Sequence, residues 1–113
     1  MSVRIEIAGW SVGGEGPTVD CGKRLSGTFT VVNQTRDELK VATTVAWVKM
    51  ASDERAVRLS PPMAIYPNLP MPFGFDVDIR PDIPSGQAFL EIRIVLTTGA
   101  QYAATYPVTI RCK

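Results

Sequence analysis

The sequence contains no histidine and only two cysteines. Without histidine, the chain lacks the usual general base, the Ser–His and Cys–His nucleophile pairs and a common metal ligand. Two thiols cannot form a four-thiolate zinc site. Twelve Lys and Arg residues against eleven Asp and Glu residues give a net charge of +1, unlike the basic balance of nucleic-acid binders. We therefore expect no enzyme activity, no metal, no cofactor and no nucleic-acid partner.

Long apolar runs are also missing from the sequence. No stretch approaches the ~18 apolar residues that cross a bilayer, and Arg4 and Glu6 interrupt the apolar residues of the N-terminus. We therefore expect neither a membrane span nor a signal peptide. A chain of 113 residues supports one hydrophobic core, so residues 1–113 are predicted to form a single domain. These features favour a cytoplasmic or virion-associated protein.

The main pattern in the sequence is an alternation of apolar and polar residues. A period of two is typical of strands with one buried face, and no helical period here exceeds two turns. Trp47 is predicted to be the large core residue of a central strand. The pattern predicts strands at 3–7, 25–31, 41–49, 73–79, 88–97 and 102–110, with a short strand at 56–59. About seven strands separated by turns predict an antiparallel sandwich or barrel.

Three features of this pattern resemble the immunoglobulin-like β-sandwiches, in the style of fibronectin type III and bacterial cell-adhesion-related domains. They are the segment CGKRLSGTFTVVNQT (21–35), Trp47 on the third strand, and the closing hairpin GQAFLEIRIVLTTGAQYAATYPVTI (86–110). The resemblance implies an antiparallel sandwich of seven to eight strands. The chain departs from antibody domains in lacking their paired strand cysteines and tyrosine corner. The resemblance therefore transfers no functional residue.

Two interpretations are open for Cys21 and Cys112. They are either small buried apolar residues in a reducing compartment or a disulfide that closes about 90 residues of chain. An antiparallel order brings both to the same end of a sandwich. The two cysteines would nevertheless lie in opposite sheets about 10 Å apart, whereas a disulfide needs Cα atoms within about 7 Å. This geometry favours free thiols.

Carboxylates are the one group of residues that suggests metal chemistry. Asp76 and Asp78 share one face of a predicted strand, and Asp82 follows it. Calcium prefers oxygen ligands, but side chains two residues apart on a strand are separated by about 7 Å. The alternative is a solvent-facing acidic row paired with Arg80 and Arg93. We favour the acidic row and predict no metal site.

The segment Pro61–Phe73 interleaves prolines with Met and aromatic residues. Proline has no N–H for a sheet ladder, so the segment is predicted to be an edge strand or a connection that caps the sandwich. It could instead present a partner-binding surface, because Met is adaptable and proline lowers the cost of ordering. The residues predicted to contact a partner are Trp10, Met63, Tyr66 and Met71.

The function predicted from the sequence is that of a non-catalytic protein-binding or assembly module. It would engage another protein, or a second copy of itself, through loops or an open strand edge. An accessory subunit of a virus particle or surface layer is one example. The alternative is a module that binds carbohydrate or another small ligand, with Trp10, Tyr66 and Tyr102 stacking on sugar rings.

Overall fold

The computed structural model describes the backbone of residues 3–10 and 18–112, and the side chains of residues 3–5 and 18–112. These residues contain eight strands and no helix, and therefore no helix that could cross a membrane. The all-β expectation is confirmed. The strands are β1 (Val3–Trp10), β2 (Thr18–Asp20), β3 (Arg24–Asn33), β4 (Leu39–Val48), β5 (Arg55–Ile65), β6 (Met71–Asp78), β7 (Gly86–Leu96) and β8 (Gln101–Arg111).

The strands form two sheets. One has three antiparallel strands in the order β1-β3-β6, and the other has five strands in the order β2-β8-β7-β4-β5. All neighbours in the larger sheet are antiparallel except β2, which runs parallel to β8. The chain therefore changes sheet at each step from β1 to β4, and again from β5 to β6 and from β6 to β7.

Alternate residues of both sheets point inward and form one core. Leu25, Phe29 and Val31 of β3 are fully buried, and β7 contributes Leu90, Ile92 and Ile94. The ring of Phe29 stacks on that of Phe73 with centroids 5.4 Å apart. Burial of each large apolar side chain stabilises the fold by roughly 1.5–3 kcal/mol, so these strands hold the two sheets together.

A bulge in β4 overturns the prediction that Trp47 is a core residue. Val41 and Thr43 face consecutive residues of β7, so Ala42 is an extra residue in the strand. Because one extra residue reverses the alternation of side chains, Trp47 lies on the outer face of the sheet and is only half-buried. Its indole N–H donates a hydrogen bond to the Ser52 carbonyl at 3.0 Å.

The proline-rich stretch begins as a strand. β5 is an edge strand that pairs only with β4 in the described part of the chain, and it contains Pro61 and Pro62. An edge strand tolerates proline where the missing N–H would point away from the ladder. The predicted edge strand is thus confirmed for residues 61–65. The strand predicted at 56–59 was too short, because β5 extends from Arg55 to Ile65. The connection from β5 to β6 begins only at Tyr66.

Cys21 and Cys112 are joined by a disulfide, with their Cα atoms 5.1 Å apart and a sequence separation of 91. The expectation that they lie in opposite sheets is wrong. The reason is β2, a strand of three residues that sequence analysis missed. It pairs with the last residues of β8, and the Cys21 N–H donates to the Arg111 carbonyl at 3.1 Å, so both cysteines leave the same sheet side by side.

Candidate functional site

The residues predicted to contact a partner do not form one surface. Met63, Tyr66 and Met71 lie at the end of the sandwich where β5 ends and β6 begins. Met71 is half-buried and packs against the core, whereas Tyr66 is 50% exposed. The backbone of Trp10 pairs with Gly27, toward the opposite end, and its side chain lies outside the described residues.

A buried asparagine holds the loop that carries Tyr66. The Asn33 side chain is fully buried, and its amide donates hydrogen bonds to the Asp37 carbonyl at 2.8 Å and the Ile65 carbonyl at 3.1 Å. The backbone carbonyl of Asn33 accepts the N–H of Asn68 at 2.9 Å. The loop after β5 is therefore anchored at both ends, and it presents Tyr66 in a defined position.

A groove at the opposite end of the sandwich is a candidate site that sequence analysis did not identify. We call it the disulfide-end groove. It is open to solvent and has a volume of about 380 Å³. Two large apolar side chains in its lining are exposed, Met50 at 89% and Phe89 at 51%. The lining comprises residues 49–51, residues 83–89 and Ile110.

The turn after β4 forms one part of the groove. Ser52 is buried, and its hydroxyl accepts the Val48 N–H at 2.8 Å, which closes the turn. Met50 occupies the left-handed backbone region at φ 65°, a conformation that is uncommon for residues other than glycine. The N–H of Lys49 donates to the Phe89 carbonyl at 3.1 Å, which fixes the turn against β7. The exposed Met50 side chain therefore projects from a firmly held backbone.

The loop before β7 forms another part of the groove, and the disulfide supports it. The Ser85 hydroxyl donates to the Cys112 carbonyl at 2.8 Å and accepts the Cys112 N–H at 2.6 Å. The Cys21 sulfur lies 3.7 Å from the Ile83 carbonyl oxygen. The covalent link between β2 and the end of β8 therefore also positions residues 83–86 at the groove.

The signal for this groove in the sequence was Phe89. It lies on the outer face of β7 between the polar residues Gln87 and Glu91, so an aromatic residue stands where the alternation predicts a polar one. The sequence gives no comparable sign for Met50, because it lies in a polar turn. Only the pairing of β4 with β7 brings the turn next to Phe89.

Several arginine and aspartate side chains form exposed ion pairs. Arg24 lies 3.0 Å from Asp78 and 3.7 Å from Asp76, and Arg55 lies within 4.0 Å of the same two carboxylates. A hydrogen bond to Asp78, with the charges of Asp78 and Asp76, raises the pKa of Arg24 above its usual value. The acidic row is thus solvent-facing as expected, and no metal-binding group of three His, Cys, Asp or Glu residues occurs among the described residues.

The partners expected for the acidic row were wrong. Arg80 pairs with Asp53, and Arg93 pairs with Glu54 and Glu91. Arg24 and Arg55 replace them because β3 lies beside β6 and because β5 begins close to the end of β6. Spacing along one strand could not indicate either neighbour.

No family model matches the sequence, and no curated protein matches it. Solved structures do share its fold. The alkylpurine DNA glycosylase AlkC of Pseudomonas fluorescens, solved with DNA containing an abasic site analog, has a TM-score of 0.63 and 11% identity over 98% of this chain and 31% of that chain. The sporulation control protein Spo0M of Bacillus subtilis has a TM-score of 0.63 and 10% identity over 99% of this chain and 49% of that one.

The chain therefore spans about a third of the length of AlkC and about half of that of Spo0M. A similar length is shared with a Niemann-Pick type C2 protein from the Japanese carpenter ant, at a TM-score of 0.58 and 8% identity over 98% of this chain and 90% of that chain. Identities of this size show a common fold and nothing of a common function. This chain is similar to all three proteins in its two-sheet β architecture.

Proposed function

We propose that this chain is a non-catalytic protein-binding module and that a partner binds at the disulfide-end groove. The observation that carries the proposal is that two exposed apolar side chains, Met50 and Phe89, line the same groove. Single exposed apolar residues are common on protein surfaces, whereas apolar groups gathered in one place are typical of interaction sites.

The shape of the groove favours a protein over a small molecule. Small-molecule sites usually bury most of the ligand's surface, and an open groove cannot do so. A protein segment that lays an apolar side chain between Met50 and Phe89 would cover both residues and exclude water from them. Met50 can adapt to such a side chain because its thioether chain is flexible.

We also propose that the fold is immunoglobulin-like, and the order of the strands supports this assignment. If the three-residue β2 is set aside, the first, second and fifth strands share one sheet. The third, sixth and seventh strands share the other sheet, which is the division found in constant-type immunoglobulin domains. The fourth strand differs, because β5 pairs with β4 rather than with β6.

A photo-crosslinking amino acid at position 89 tests the proposed surface in cells of the source organism. We expect one discrete protein adduct from position 89 and none from position 57, where Val57 is similarly exposed on β5. With the identified partner in purified form, Phe89→Ala should weaken binding about 30-fold, equivalent to ~2 kcal/mol, whereas Val57→Ala should not. Adducts of equal yield at both positions, or unchanged affinity in Phe89→Ala, would contradict the proposal.

Binding of a carbohydrate is the second candidate, and the exposure of Tyr66 is the observation that favours it. Tyr102, another of the predicted stacking residues, packs partly against the core and offers less of its ring. If sugars stack on Tyr66, Tyr66→Ala should abolish the binding of a glycan that a broad array identifies. An array with no bound glycan would exclude this function.

The disulfide bears on the cellular compartment. Disulfides persist in oxidising environments and are rare in a reducing cytosol. The bond therefore supports an oxidising location over the cytoplasmic one, and a virion surface is compatible with it. Alkylation of free thiols while the protein is isolated from its source organism, followed by mass spectrometry, would show whether a disulfide protects Cys21 and Cys112 from alkylation.

A further inference from the structure

Met50 has the largest exposed fraction of the large apolar side chains in the described part of the chain, at 89%. Two other methionines are described. Met63 is 36% exposed on β5, and Met71 is half-buried and packs against the core. Because susceptibility to oxidation follows exposure, a small oxidant in solution reaches the thioether of Met50 more readily than those of Met63 and Met71.

The turn after β4 holds Met50 in that exposed position. The Val48 carbonyl accepts the N–H of Ala51 at 3.1 Å and the N–H of Ser52 at 2.9 Å, and the N–H of Lys49 is bonded to the backbone of β7. Met50 cannot turn its side chain toward the core without breaking these hydrogen bonds. Its thioether therefore stays in water in the free protein.

The backbone conformation of Met50 indicates that its side chain has a role outside the folded chain. A φ of 65° suits glycine, and a residue with a Cβ atom adopts it at a cost in conformational energy. A side chain that is 89% exposed makes few contacts within the chain that could offset this cost. Residues in such conformations are common at functional sites. Because Met50 lines the disulfide-end groove, that role belongs to the groove.

We propose that Met50 is a site of reversible oxidation and that its oxidation weakens partner binding at the disulfide-end groove. The second part rests on the function proposed above. The oxidant is a hydroperoxide, which transfers one oxygen atom to the thioether sulfur. The sulfur–oxygen bond forms as the peroxide O–O bond breaks, so the sulfur loses two electrons and the peroxide is reduced to water or an alcohol. A thiol-dependent sulfoxide reductase reverses the change, with two thiols oxidised to a disulfide and water released.

The sulfoxide changes the groove without disturbing the fold. Its oxygen is polar, and in the free protein it is solvated because Met50 is exposed. An apolar side chain of a partner laid between Met50 and Phe89 would remove that water. Because burial of a polar group without a hydrogen bond is unfavourable, oxidation opposes this contact. Oxidation of Met71 would instead place a polar group against the core.

Hydrogen peroxide applied to the folded full chain tests the oxidation site without any partner. Peptide mapping by mass spectrometry follows the formation of sulfoxide at Met50, Met63 and Met71. We expect the sulfoxide to form at Met50 about threefold faster than at Met63 and about tenfold faster than at Met71, because exposure sets the rate. In urea above the unfolding transition, the three rates should become similar. Equal rates in the folded chain, or a faster rate at Met63, would overturn the assignment of Met50.

The effect on binding is measured with the purified partner that crosslinking from position 89 identifies. Oxidation of the wild-type chain with hydrogen peroxide should weaken its binding about tenfold, and treatment with a methionine sulfoxide reductase should restore it. Met50→Leu lacks the sulfur, so peroxide should leave whatever affinity this variant has unchanged. Met63→Leu is the matched control, and it should lose affinity on oxidation as the wild-type chain does.

The outcomes separate this proposal from the proposed function. Unchanged affinity of the oxidised wild-type chain, or loss of affinity in oxidised Met50→Leu, would overturn the effect on binding. Urea denaturation should give the same free energy of unfolding before and after oxidation, and a decrease would assign the loss of binding to the fold instead. Absence of any adduct from position 89 would overturn the proposed function together with this effect, whereas the oxidation rates would still decide whether Met50 is the oxidised site.

Discussion

Asn33 shows how a single polar residue organises one end of the sandwich. It is the last residue of β3, and its fully buried side chain bonds to two carbonyl oxygens and accepts the N–H of Thr35 at 2.9 Å. Buried polar groups are stable only when hydrogen-bonded. Asn33 meets that condition, and in doing so it joins the turn after β3 to the end of β5.

Asn33→Ala should lower the free energy of unfolding by about 3 kcal/mol. The truncated side chain leaves the Ile65 carbonyl without its partner in the protein interior, and an unsatisfied buried group is costly. Urea denaturation measures the change. Gln34→Ala, in the same turn but exposed, is the control and should change stability by less than about 0.5 kcal/mol. Equal stability of the two variants would show that the Asn33 hydrogen bonds contribute little.

At the scale of elements, the backbone N–H and C=O groups of β8 alternate between the side that faces β7 and the opposite side. The backbone groups of even-numbered residues from Tyr102 to Tyr106 bond to β7, and those of odd-numbered residues point away from β7. Pro107 fits this register, because its missing N–H falls on the side away from β7. Position along β8 therefore decides whether proline is tolerated.

Proline substitutions at neighbouring positions should have unequal effects. Ala104→Pro removes a ladder hydrogen bond and leaves the buried Ile92 carbonyl unpaired, so it should cost at least about 2 kcal/mol more than Ala103→Pro. Thermal or urea unfolding of the two variants provides the comparison, with the wild-type chain as reference. If Ala103→Pro were the more damaging variant, the register assigned to β8 would be wrong.

For the whole molecule, the disulfide joins distant parts of the sequence. Cys21 and Cys112 are separated by 91 residues, so the bond restricts nearly the whole unfolded chain. It also lies beside the loop at residues 83–86, which lines the disulfide-end groove. Global stability and the shape of the groove therefore depend on the same covalent link.

Loss of the disulfide should lower the free energy of unfolding by about 4–5 kcal/mol, because the unfolded chain gains conformational entropy. Urea denaturation with and without a thiol reductant measures this difference for the wild-type chain. Cys21→Ser serves as the control, since it should already have the lower stability and should not respond to the reductant. A wild-type chain of equal stability in both conditions would contradict this expectation.

The strands that the sequence predicted well are those with uninterrupted alternation. The apolar residues of β3 and β7, and those on the inward face of β8, stand at every second position. The buried faces are those that the pattern indicates. β4 was predicted as a strand, but with the wrong buried face, because an extra residue at Ala42 leaves no sign in the period. β2 is too short for any period to be visible.

The candidate sites also differ in how much of them the sequence indicated. Met63 and Tyr66 are exposed on the edge strand and in the loop to which proline restricts their segment, and their contact with a partner stays a prediction. The disulfide-end groove was not predicted. Its lining comes from segments that are far apart in the sequence and are joined only by sheet pairing and the disulfide.

The amino-acid sequence by itself determined that this protein is made of strands, because a period of two in apolar residues is a local property of the chain. It also excluded chemistry that depends on histidine. Tertiary structure alone decided which strands are neighbours, which cysteines meet and which segments line the groove. Those features depend on long-range pairing, and the identity of a neighbour across a sheet cannot be read from the residues on one strand.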